Sequence, residues 1–381
     1  MSGNNILTTH VGSLPRPVAL LDAMKARLAG EPIDEADYEK ALSAAVSETV
    51  AMQAACGIDI VTDGEMSKPG FFTYVQERLT GFEPRPGEGR PVFAAERAAF
   101  PEYYEDYFAR AMTGGAVAPV VPMFCTGPIA YRGEAAAARD IANLRAALEG
   151  VSRDGAFLPS IAPSGLGHND YYATEEEFFD AAGEALRTEY LAIVDAGFQL
   201  QIDDPFLSDI FVEPGLDEAA MDRRATLYVE AINHALRGIP PEKIRFHTCY
   251  GINEGPRIHE APMARVAPFM LRIDAGAYSF EAGNPRHEHE YHVWEDIDLP
   301  DGRKIIPGVI THASNIVEHP ELIAERLVRF AERVGRENVI AGADCGFSSQ
   351  ACYHTEVHPT VIRAKFEALA EGARLASERL G

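Results

Sequence analysis

Four residues in the C-terminal half of the chain have side chains that could bind one metal ion: His247, Cys249, Glu281 and Cys345. His247 and Cys249 are two positions apart, so an extended backbone projects both side chains from the same face. One imidazole nitrogen, one carboxylate and two thiolates suit tetrahedral Zn²⁺. Ordinary packing is the alternative, because a cysteine after a strand is often a small buried residue and a glutamate there is often salt-bridged. The residues alone leave both interpretations open.

The segments around these residues alternate between β-branched runs and long amphipathic stretches, which is typical of βα units around a parallel sheet. The predicted strands are 6–9, 59–63, 120–124, 198–203, 244–248, 277–281, 304–310 and 338–344. This number of strands suits a closed (β/α)8 barrel, an α/β fold whose active site forms at the carboxyl ends of the strands. All four candidate ligands lie at or just after predicted strand ends. The barrel would therefore bring them to one rim.

The remaining segments predict a single domain over residues 1–381 with two insertions. Residues 81–119 are rich in proline, glycine and aromatic residues, and we expect a long irregular loop over one rim of the barrel. The proline-rich run 156–163 is interpreted as part of a second insertion, at about 151–173, and not as a barrel strand. No stretch of flexible composition divides the chain into separate domains.

Two of the helices have ends that can be predicted from the sequence. Thr174 and Glu177 form a capping box before an apolar-periodic stretch that stops at Gly197. Pro320 opens another such stretch, which stops at Gly335. We therefore expect helices over these two segments.

Charge and cysteine content exclude several classes of protein. The 34 lysines and arginines against 58 acidic residues give a formal charge of −24, which would repel nucleic acid and anionic lipid. No stretch approaches the roughly 18–20 apolar residues of a membrane span, and the N-terminus lacks a basic region followed by an apolar run. We therefore expect a cytoplasmic protein that binds neither nucleic acid nor membrane. The odd number of cysteines, five, favours reduced thiols over a disulfide framework.

Six motifs resemble, in order, those of a known family. They run from Thr8 to Phe347 and read TTHVGSLPRP, DIVTDGE, LQIDDP, HTCYG, YSFEA and ADCGF. The family is the catalytic C-terminal barrel of cobalamin-independent methionine synthase. The resemblance implies a TIM barrel and S-methyl transfer to homocysteine from a 5-methyltetrahydrofolate-type or other methyl donor. It also implies that Zn²⁺ activates the substrate thiol and is bound by His247, Cys249, Glu281 and Cys345.

The resemblance also implies which residues surround the substrates. Ser13 in VGSLP, Glu65 in DGE and Asp203 in QIDDP would hold the amino-acid part of homocysteine, with the two carboxylates paired to its α-ammonium group. Asp209 stands where the family has a folate-contacting glutamate. His312, in GVITHASN, is displaced by one residue from the position of the family's proton-donating histidine, and it is our candidate for the catalytic proton donor.

Departures from the family leave the alkyl donor open. Glu134 occupies the position of a pterin-contacting tryptophan, and the family's N-terminal barrel, which helps to bind folate, has no counterpart in this sequence. The segment EAGNPRHEHEYHVWED after Glu281 has no counterpart in that enzyme either. It is interpreted as a solvated rim loop, as a second metal site, or as a segment in which Arg286 binds an anionic group of the second substrate.

Three functions therefore remain open at this stage. The first is methyl transfer to homocysteine, supported by Glu65 and Asp203. The second resembles epoxyalkane:coenzyme M transferase, in which a zinc-bound thiolate opens an epoxide and Arg286 would bind a sulfonate. The third is a zinc-stabilised barrel that only binds a partner. The expected partners of the enzyme are a small thiol and an alkyl donor, and the sequence leaves open a homo-oligomer and a partner protein that delivers the methyl group.

Overall fold

The computed structural model describes residues 5–89, 92–109, 115–118, 120–251 and 254–381. Parts of the predicted rim insertion at 81–119 therefore lie outside the described residues. The helices are α1 (Val18–Leu28), α2 (Glu35–Ala55), α3 (Val75–Arg78), α4 (Ala94–Ala99), α5 (Pro101–Tyr107), α6 (Glu134–Ala147), α7 (Glu175–Asp195), α8 (Phe206–Asp209), α9 (Glu218–Leu236), α10 (Met263–Met270), α11 (Pro320–Val334) and α12 (Pro359–Leu380). The strands are β1 (Ile60–Thr62), β2 (Phe82–Pro84), β3 (Met123–Cys125), β4 (Gly155–Ile161), β5 (His168–Asn169), β6 (Gln199–Asp203), β7 (Ile244–His247), β8 (Ala277–Phe280), β9 (Lys304–Ile310) and β10 (Gly342–Ala343).

The main sheet is a curled sheet of seven parallel strands in the order β1-β4-β6-β7-β8-β9-β10. The N-terminal segment lies between its two edges. The amide of Thr9 donates to the carbonyl of Ala341 at 2.9 Å, and the amide of Ile60 donates to the carbonyl of Thr8 at 3.0 Å. These bonds close the sheet into a barrel and leave no open edge at this seam. The predicted α/β barrel is confirmed.

Two strand assignments are wrong. Residues 156–163, interpreted above as part of an insertion, include most of β4, which pairs with β1 and β6 inside the barrel. The predicted barrel strand 120–124 instead corresponds to β3, which forms a separate three-stranded sheet with β2 and β5. The error has a physical reason: Pro159 suggested a break in the strand, whereas β4 is buried along nearly all of its length, as barrel strands are.

The rim insertion contains regular structure within its described part, so the expected irregular loop is also wrong there. It includes β2 and the short helices α4 and α5. Phe93, just before α4, has a φ of 55° and packs near Tyr104, with ring centroids 6.2 Å apart. A Cβ atom added at Gly251 would lie 3.1 Å from the Phe93 ring. The insertion therefore reaches the loop that follows β7.

The two predicted helices have the expected ends. The Thr174 hydroxyl accepts a hydrogen bond from the amide of Glu177 at 3.1 Å and caps α7. Helix α11 begins at Pro320 and is followed by Gly335, whose φ is 88°. No helix within the described ranges combines the length and the apolar character that a membrane span requires.

The barrel interior combines an apolar cluster with a buried cation. The apolar cluster consists of Ile60, Phe157, Ile306 and Ile340. The guanidinium carbon of Arg245 lies 3.8 Å from the centroid of the Phe157 ring, and the guanidinium donates to the Thr9 hydroxyl and the His10 carbonyl, each at 2.9 Å. Arg245 precedes the last residue of β7 by two positions, so the inward face of this strand continues directly to His247.

Candidate active site

Three of the four candidate ligands meet at one point of the rim. His247 is the last residue of β7, Cys249 follows it by two positions, and Cys345 comes shortly after β10. All three side chains are buried, and one imidazole nitrogen and both sulfurs lie within 4.8 Å of one another. The barrel thus brings together two chain segments that are nearly one hundred residues apart, as expected for the carboxyl ends of its strands.

His247 has one imidazole nitrogen available for a metal ion. Its Nδ1 lies 3.0 Å from the hydroxyl of Ser279, while the buried Nε2 has no hydrogen-bond partner in the described part of the chain. Burial, followed by the nearby charges of Arg245 and His312, lowers the pKa of His247 to about 3, so the ring is neutral at physiological pH. With Nδ1–H donated to Ser279, Nε2 presents a lone pair. An unpaired buried acceptor of this kind fits a metal ligand.

The two thiols are close enough to oppose each other's ionisation. The hydrogen bond with Cys345, then burial, then the charges of Cys345 and Glu281 raise the pKa of Cys249 well above its usual range. The amide of Gly251 donates to Cys249 Sγ at 3.4 Å. A divalent cation reverses such repulsion and holds both sulfurs as thiolates. Two sulfurs and one imidazole nitrogen are ligands that suit Zn²⁺.

Glu281 lies directly after β8 and has both carboxylate oxygens hydrogen-bonded. Oε1 accepts from the amide of Tyr250 at 3.0 Å, and Oε2 accepts from Arg257 at 2.7 Å and from Asn284 at 2.9 Å. Its charge contributes to the raised pKa of Cys249. Glu281 is therefore near enough to influence Cys249, but its oxygens are directed to Tyr250, Arg257 and Asn284, and it is not among the three residues whose ligand atoms lie within 4.8 Å of one another.

His312 belongs to a second group, formed with Glu281 and Asp344, in which the ligand-type atoms also lie within 4.8 Å of one another. Asp344 accepts hydrogen bonds from the amides of Ala282 and Gly283 at 2.8 and 2.7 Å. Both ring nitrogens of His312 are buried without a partner among the described residues. Burial, partly offset by Asp344, lowers its pKa to about 4. His312 is therefore a neutral imidazole next to two acids.

An open cavity of about 370 Å³ adjoins the thiols. The predicted site residues that line it are Ser13, Glu65, Asp203, His247, Cys249 and Cys345. The structure thus brings the predicted amino-acid pocket and three predicted ligands into one cavity. Sequence reasoning missed the other lining residues, which are Val11, Phe71, Pro205, Gly251 and Ser349. Val11, Pro205 and Gly251 lie inside the quoted motifs, and this was the only available signal for them.

The two acids of the cavity are held in fixed positions. Glu65 has a φ of 56°, its amide donates to Asp63 Oδ1 at 2.9 Å, and its Oε1 accepts from Lys68 Nζ at 3.0 Å. Asp203 Oδ1 accepts from the side-chain amide of Gln201 at 2.7 Å. Burial, followed by the charge of Glu65, raises the pKa of Asp203. A cationic ligand group placed beside Asp203 would favour its ionised form.

Arg16 connects three loops around the cavity, and sequence reasoning gave it no role. Its buried guanidinium donates to the carbonyls of Leu14 at 3.2 Å, Glu65 at 2.8 Å and Lys68 at 3.0 Å, and also to that of Ser348. These residues neighbour Ser13, Glu65 and Ser349 of the cavity wall. Arg16 therefore fixes the loops that carry Ser13, Glu65 and Ser349 to the cavity wall.

Several other candidates lie away from the cavity wall, as far as the described residues show. Asp209 is exposed at the end of α8, and Glu134 is exposed at the start of α6. Arg286 is exposed, and its Nε donates to the carbonyl of Arg257 at 3.0 Å. Cys352 is half-buried, and its thiol donates to the carbonyl of His354.

The histidine- and glutamate-rich segment 286–292 forms ion pairs at the rim. Both ring nitrogens of His287 contact carboxylates, those of Glu290 at 2.6 Å and Glu260 at 2.9 Å, and the ring stacks on Tyr250 with centroids 4.1 Å apart. Burial would lower the pKa of His287, but the two hydrogen-bonded carboxylates outweigh it and raise the pKa to about 9. Neither group with metal-ligand spacing in the described residues includes this segment.

The protein is an S-methyltransferase. This class is identified by the α/β barrel, by the thiol-lined cavity at the carboxyl ends of its strands, and by the family and relatives described next. The chain belongs to the family described as cobalamin-independent synthase, catalytic domain, whose model matches residues 6–89 and 168–364. The unmatched stretch 90–167 contains α4 and α5 of the rim insertion as well as β3 and β4.

Similar proteins cover nearly the whole chain. The methionine synthase of Sulfurisphaera tokodaii is 23% identical over 345 residues, 89% of this chain and 85% of the relative. The methionine synthase of Saccharolobus islandicus is 23% identical over 385 residues, 98% of this chain and 95% of the relative. The structure of a B12-independent methionine synthase from a Shewanella species, in complex with selenomethionine, covers 99% of both chains with a TM-score of 0.73 and 20% identity. A putative vitamin-B12-independent methionine synthase from Listeria monocytogenes also covers 99% of both chains, with a TM-score of 0.66 and 21% identity.

Proposed function

We propose that this S-methyltransferase transfers a methyl group to the sulfur of homocysteine and uses Zn²⁺ bound by His247, Cys249 and Cys345, with Glu281 as the fourth ligand. One observation carries the proposal: a single cavity is lined by the two thiols, the imidazole with its unpaired nitrogen, and a pair of buried acids. The names of the relatives support it, as does the selenomethionine bound to the Shewanella protein, because selenomethionine is an analogue of the methylated product.

The two ends of the cavity match the two ends of homocysteine. Glu65 and Asp203 would bind the α-ammonium group, and Ser13 would contact the amino-acid part of the substrate. The thiol is separated from the α-carbon by two methylene groups and would lie near Cys249 and Cys345. When bound, Zn²⁺ supplies the positive charge that keeps a substrate sulfur as a nucleophilic thiolate at neutral pH. The protein contributes orientation, because it fixes both ends of the substrate.

Glu281 can serve as a ligand without losing its present contacts. A carboxylate has about four lone-pair sites, and Tyr250, Arg257 and Asn284 occupy three of them. The guanidinium of Arg257 donates to Glu281 Oε2 at 2.7 Å and places a positive charge beside the carboxylate. Arg257 is therefore proposed to hold Glu281 in place beside the two sulfurs.

Methyl transfer forms a sulfur–carbon bond and breaks the bond between the methyl group and its donor, which leaves with the electron pair and needs a proton. His312 remains our candidate for delivering that proton. Its ring lies against Glu281 and Asp344 rather than on the cavity wall. Delivery therefore requires a bridging water or a movement of the ring. A His312→Gln variant should keep its zinc and its affinity for homocysteine but lose turnover.

A binding experiment tests the proposal directly. Zinc-loaded protein is titrated with homocysteine and with coenzyme M, while heat and proton release are recorded in buffers of different ionisation enthalpy. We expect homocysteine to bind with the release of about one proton, because a thiol that coordinates a metal is deprotonated. Methionine, which has no thiol, is the matched control and should release about one proton fewer than homocysteine, because any proton released from Asp203 when the ammonium group binds is common to both ligands. Absence of stoichiometric zinc, or tight binding of coenzyme M alone, would refute the proposal.

The epoxide alternative gains no support. The relatives reported above are named methionine synthases, and Arg286, which suggested sulfonate binding, is exposed. Folate as the methyl donor is a separate proposal, because Glu134 and Asp209 are exposed and do not line the described cavity. A donor screen with methyl-folates of different glutamate length, a methylated corrinoid protein and small epoxides would identify the donor. The same screen, run with and without cell extract, would test for a partner protein.

A further inference from the structure

Lys68 is a buried cation next to the cavity that the reaction described above does not use. Its side chain is only 5% exposed. Nζ donates to Glu65 Oε1 at 3.0 Å and to the carbonyl of Pro159 at 2.7 Å, and it lies 4.3 Å from the centroid of the Tyr74 ring. Lysine is almost never buried without a partner, because desolvating an ammonium group is costly. Glu65 is the carboxylate that compensates Lys68.

Nearby carboxylates favour the charged form of the Lys68 side chain. Burial would lower its pKa, but the carboxylates of Glu65, Glu189 and Asp63 outweigh burial and raise it. Glu189 is itself paired with Arg78 at 2.8 Å, whereas Glu65 has its one ion pair among the described residues with Lys68. Lys68 therefore acts chiefly on the charge of Glu65.

The formal charges on this side of the cavity then have a simple consequence. With an ammonium group bound, which favours the ionised form of Asp203, Glu65 and Asp203 contribute two negative charges and Lys68 contributes one positive charge, so the sum over these three side chains is one negative charge. An α-ammonium group brings the sum to zero, and the α-carboxylate of the same amino acid then meets no net negative charge. Without Lys68 the sum would stay negative after the ammonium group had bound, and the carboxylate would be repelled.

We propose that Lys68 is a specificity-determining residue that makes the cavity select thiols with both an ammonium and a carboxylate group over thiols with an amine alone. It acts by positioning Glu65 and by compensating its charge, without lining the cavity. This inference rests on the proposed function, since it concerns the same amino-acid end of the cavity.

The experiment compares homocysteine with 3-aminopropanethiol, which has the same chain without the carboxylate. Dissociation constants for both are measured by calorimetry on zinc-loaded protein, and the selectivity ratio is the Kd of 3-aminopropanethiol divided by the Kd of homocysteine. We expect Lys68→Met to lower this ratio about tenfold or more, because one unit charge near the carboxylate is lost. Lys68→Arg, which keeps the charge, should leave the ratio within about threefold of wild type.

A double variant separates charge compensation from a direct contact. Glu65→Gln alone removes a negative charge and should raise the ratio. Lys68→Met combined with Glu65→Gln restores a sum of one negative charge, so its ratio should return to within about threefold of the wild-type value. The double variant removes the ammonium group of Lys68 together with the carboxylate it pairs with, so neither is left buried without the other. It therefore keeps the test decisive should Lys68→Met fail to fold.

The outcomes distinguish this inference from the proposed function. An unchanged ratio in Lys68→Met, or a double variant whose ratio stays as low as that of Lys68→Met, would overturn the role of Lys68. If the zinc-loaded wild-type protein binds neither thiol, the proposed function itself fails.

Discussion

Two buried histidines at the same rim, His247 and His287, have opposite surroundings. His247 has a neutral ring, one nitrogen near Ser279 and the other without a partner, and two thiols beside it. His287 has both nitrogens bound by carboxylates and a pKa raised to about 9. In the sequence, the segment around His287 is the richer of the two in ligand-type side chains.

The difference shows that residue type alone does not identify a reactive site. Both ring nitrogens of His287 already have carboxylate partners, so neither nitrogen is free to bind a metal ion or another ligand. An unpaired buried nitrogen next to two thiols is costly unless something binds there, because a buried polar atom without a partner loses its hydration. The unpaired Nε2 of His247 beside two thiols therefore supports the candidate metal site, whereas the paired nitrogens of His287 indicate a structural role.

The largest expected effect comes from the two thiols beside His247. Cys249→Ser and Cys345→Ser should each weaken zinc binding by at least about a hundredfold, since each removes one of the sulfur ligands. Elemental analysis after gel filtration measures the metal, and circular dichroism checks the fold. Cys352→Ser is the matched control and should retain full zinc. Full zinc content in the Cys249→Ser and Cys345→Ser variants would contradict the ligand assignment.

The second largest expected effect is a loss of homocysteine affinity when one of the acids in the same cavity is replaced. Glu65→Gln should keep its zinc but bind homocysteine about 10- to 100-fold more weakly, because a charge-assisted hydrogen bond contributes roughly 1.5–3 kcal/mol. Calorimetry on zinc-loaded protein gives both the affinity and the stoichiometry. Glu77→Gln, at an exposed site on α3, serves as the control. An unchanged affinity in Glu65→Gln would remove this acid from the substrate site.

For His287 we expect an effect on stability and none on zinc. Its pKa is higher in the folded protein, about 9 against an ordinary 6.5, so its stabilisation is complete below about pH 6.5 and disappears as the pH rises through 9. His287→Gln should therefore lower the free energy of unfolding by about 1–2 kcal/mol at pH 6.5 and by much less at pH 10. Urea denaturation at both pH values tests this. A deficit that grows with pH would show that His287 is not held as a cation.

The smallest effect is expected at Arg286. Arg286→Ala removes one hydrogen bond to the carbonyl of Arg257 from an exposed side chain, so stability should change by less than about 1 kcal/mol. Zinc content and homocysteine affinity should stay within about twofold of wild type. A tenfold loss of thiol binding would place Arg286 at the substrate and revive the interpretation that the segment 286–292 binds an anion.

Most of the barrel could be predicted because β7, β8 and β9 contain several β-branched or aromatic residues, β6 alternates polar and aliphatic residues, and these strands end close to reactive side chains. Strand prediction from residue composition failed where the composition did not reflect how deeply the segment is buried. Pro159 made β4 resemble an insertion, although its missing amide is tolerated in the strand and its carbonyl accepts from Lys68. The apolar run that includes β3 resembled a barrel strand but pairs with β2 and β5. Which strands become neighbours depends on pairing across the whole sheet, and a local sequence pattern does not contain this information.

The candidate site was predictable to the extent that its residues lie in short motifs. Ser13, Glu65 and Asp203 share the cavity with the thiols, as the resemblance implied. The orientation of Glu281 toward Arg257 could not be predicted, because it depends on contacts between separate loops. The same is true of Lys68, whose role becomes visible only when its distance to Glu65 is known.

The contacts of Arg16 have a consequence for the order in which the molecule assembles. Arg16 leaves the ribosome long before one of its carbonyl partners, Ser348, which is 332 positions further along the sequence. Until that late segment arrives, the guanidinium has no complete set of acceptors, and closing so long a loop is slow and entropically costly. We therefore expect the cavity beside Arg16 to be among the last regions to form, and we predict that chains shortened before residue 348 retain helices but bind no thiol.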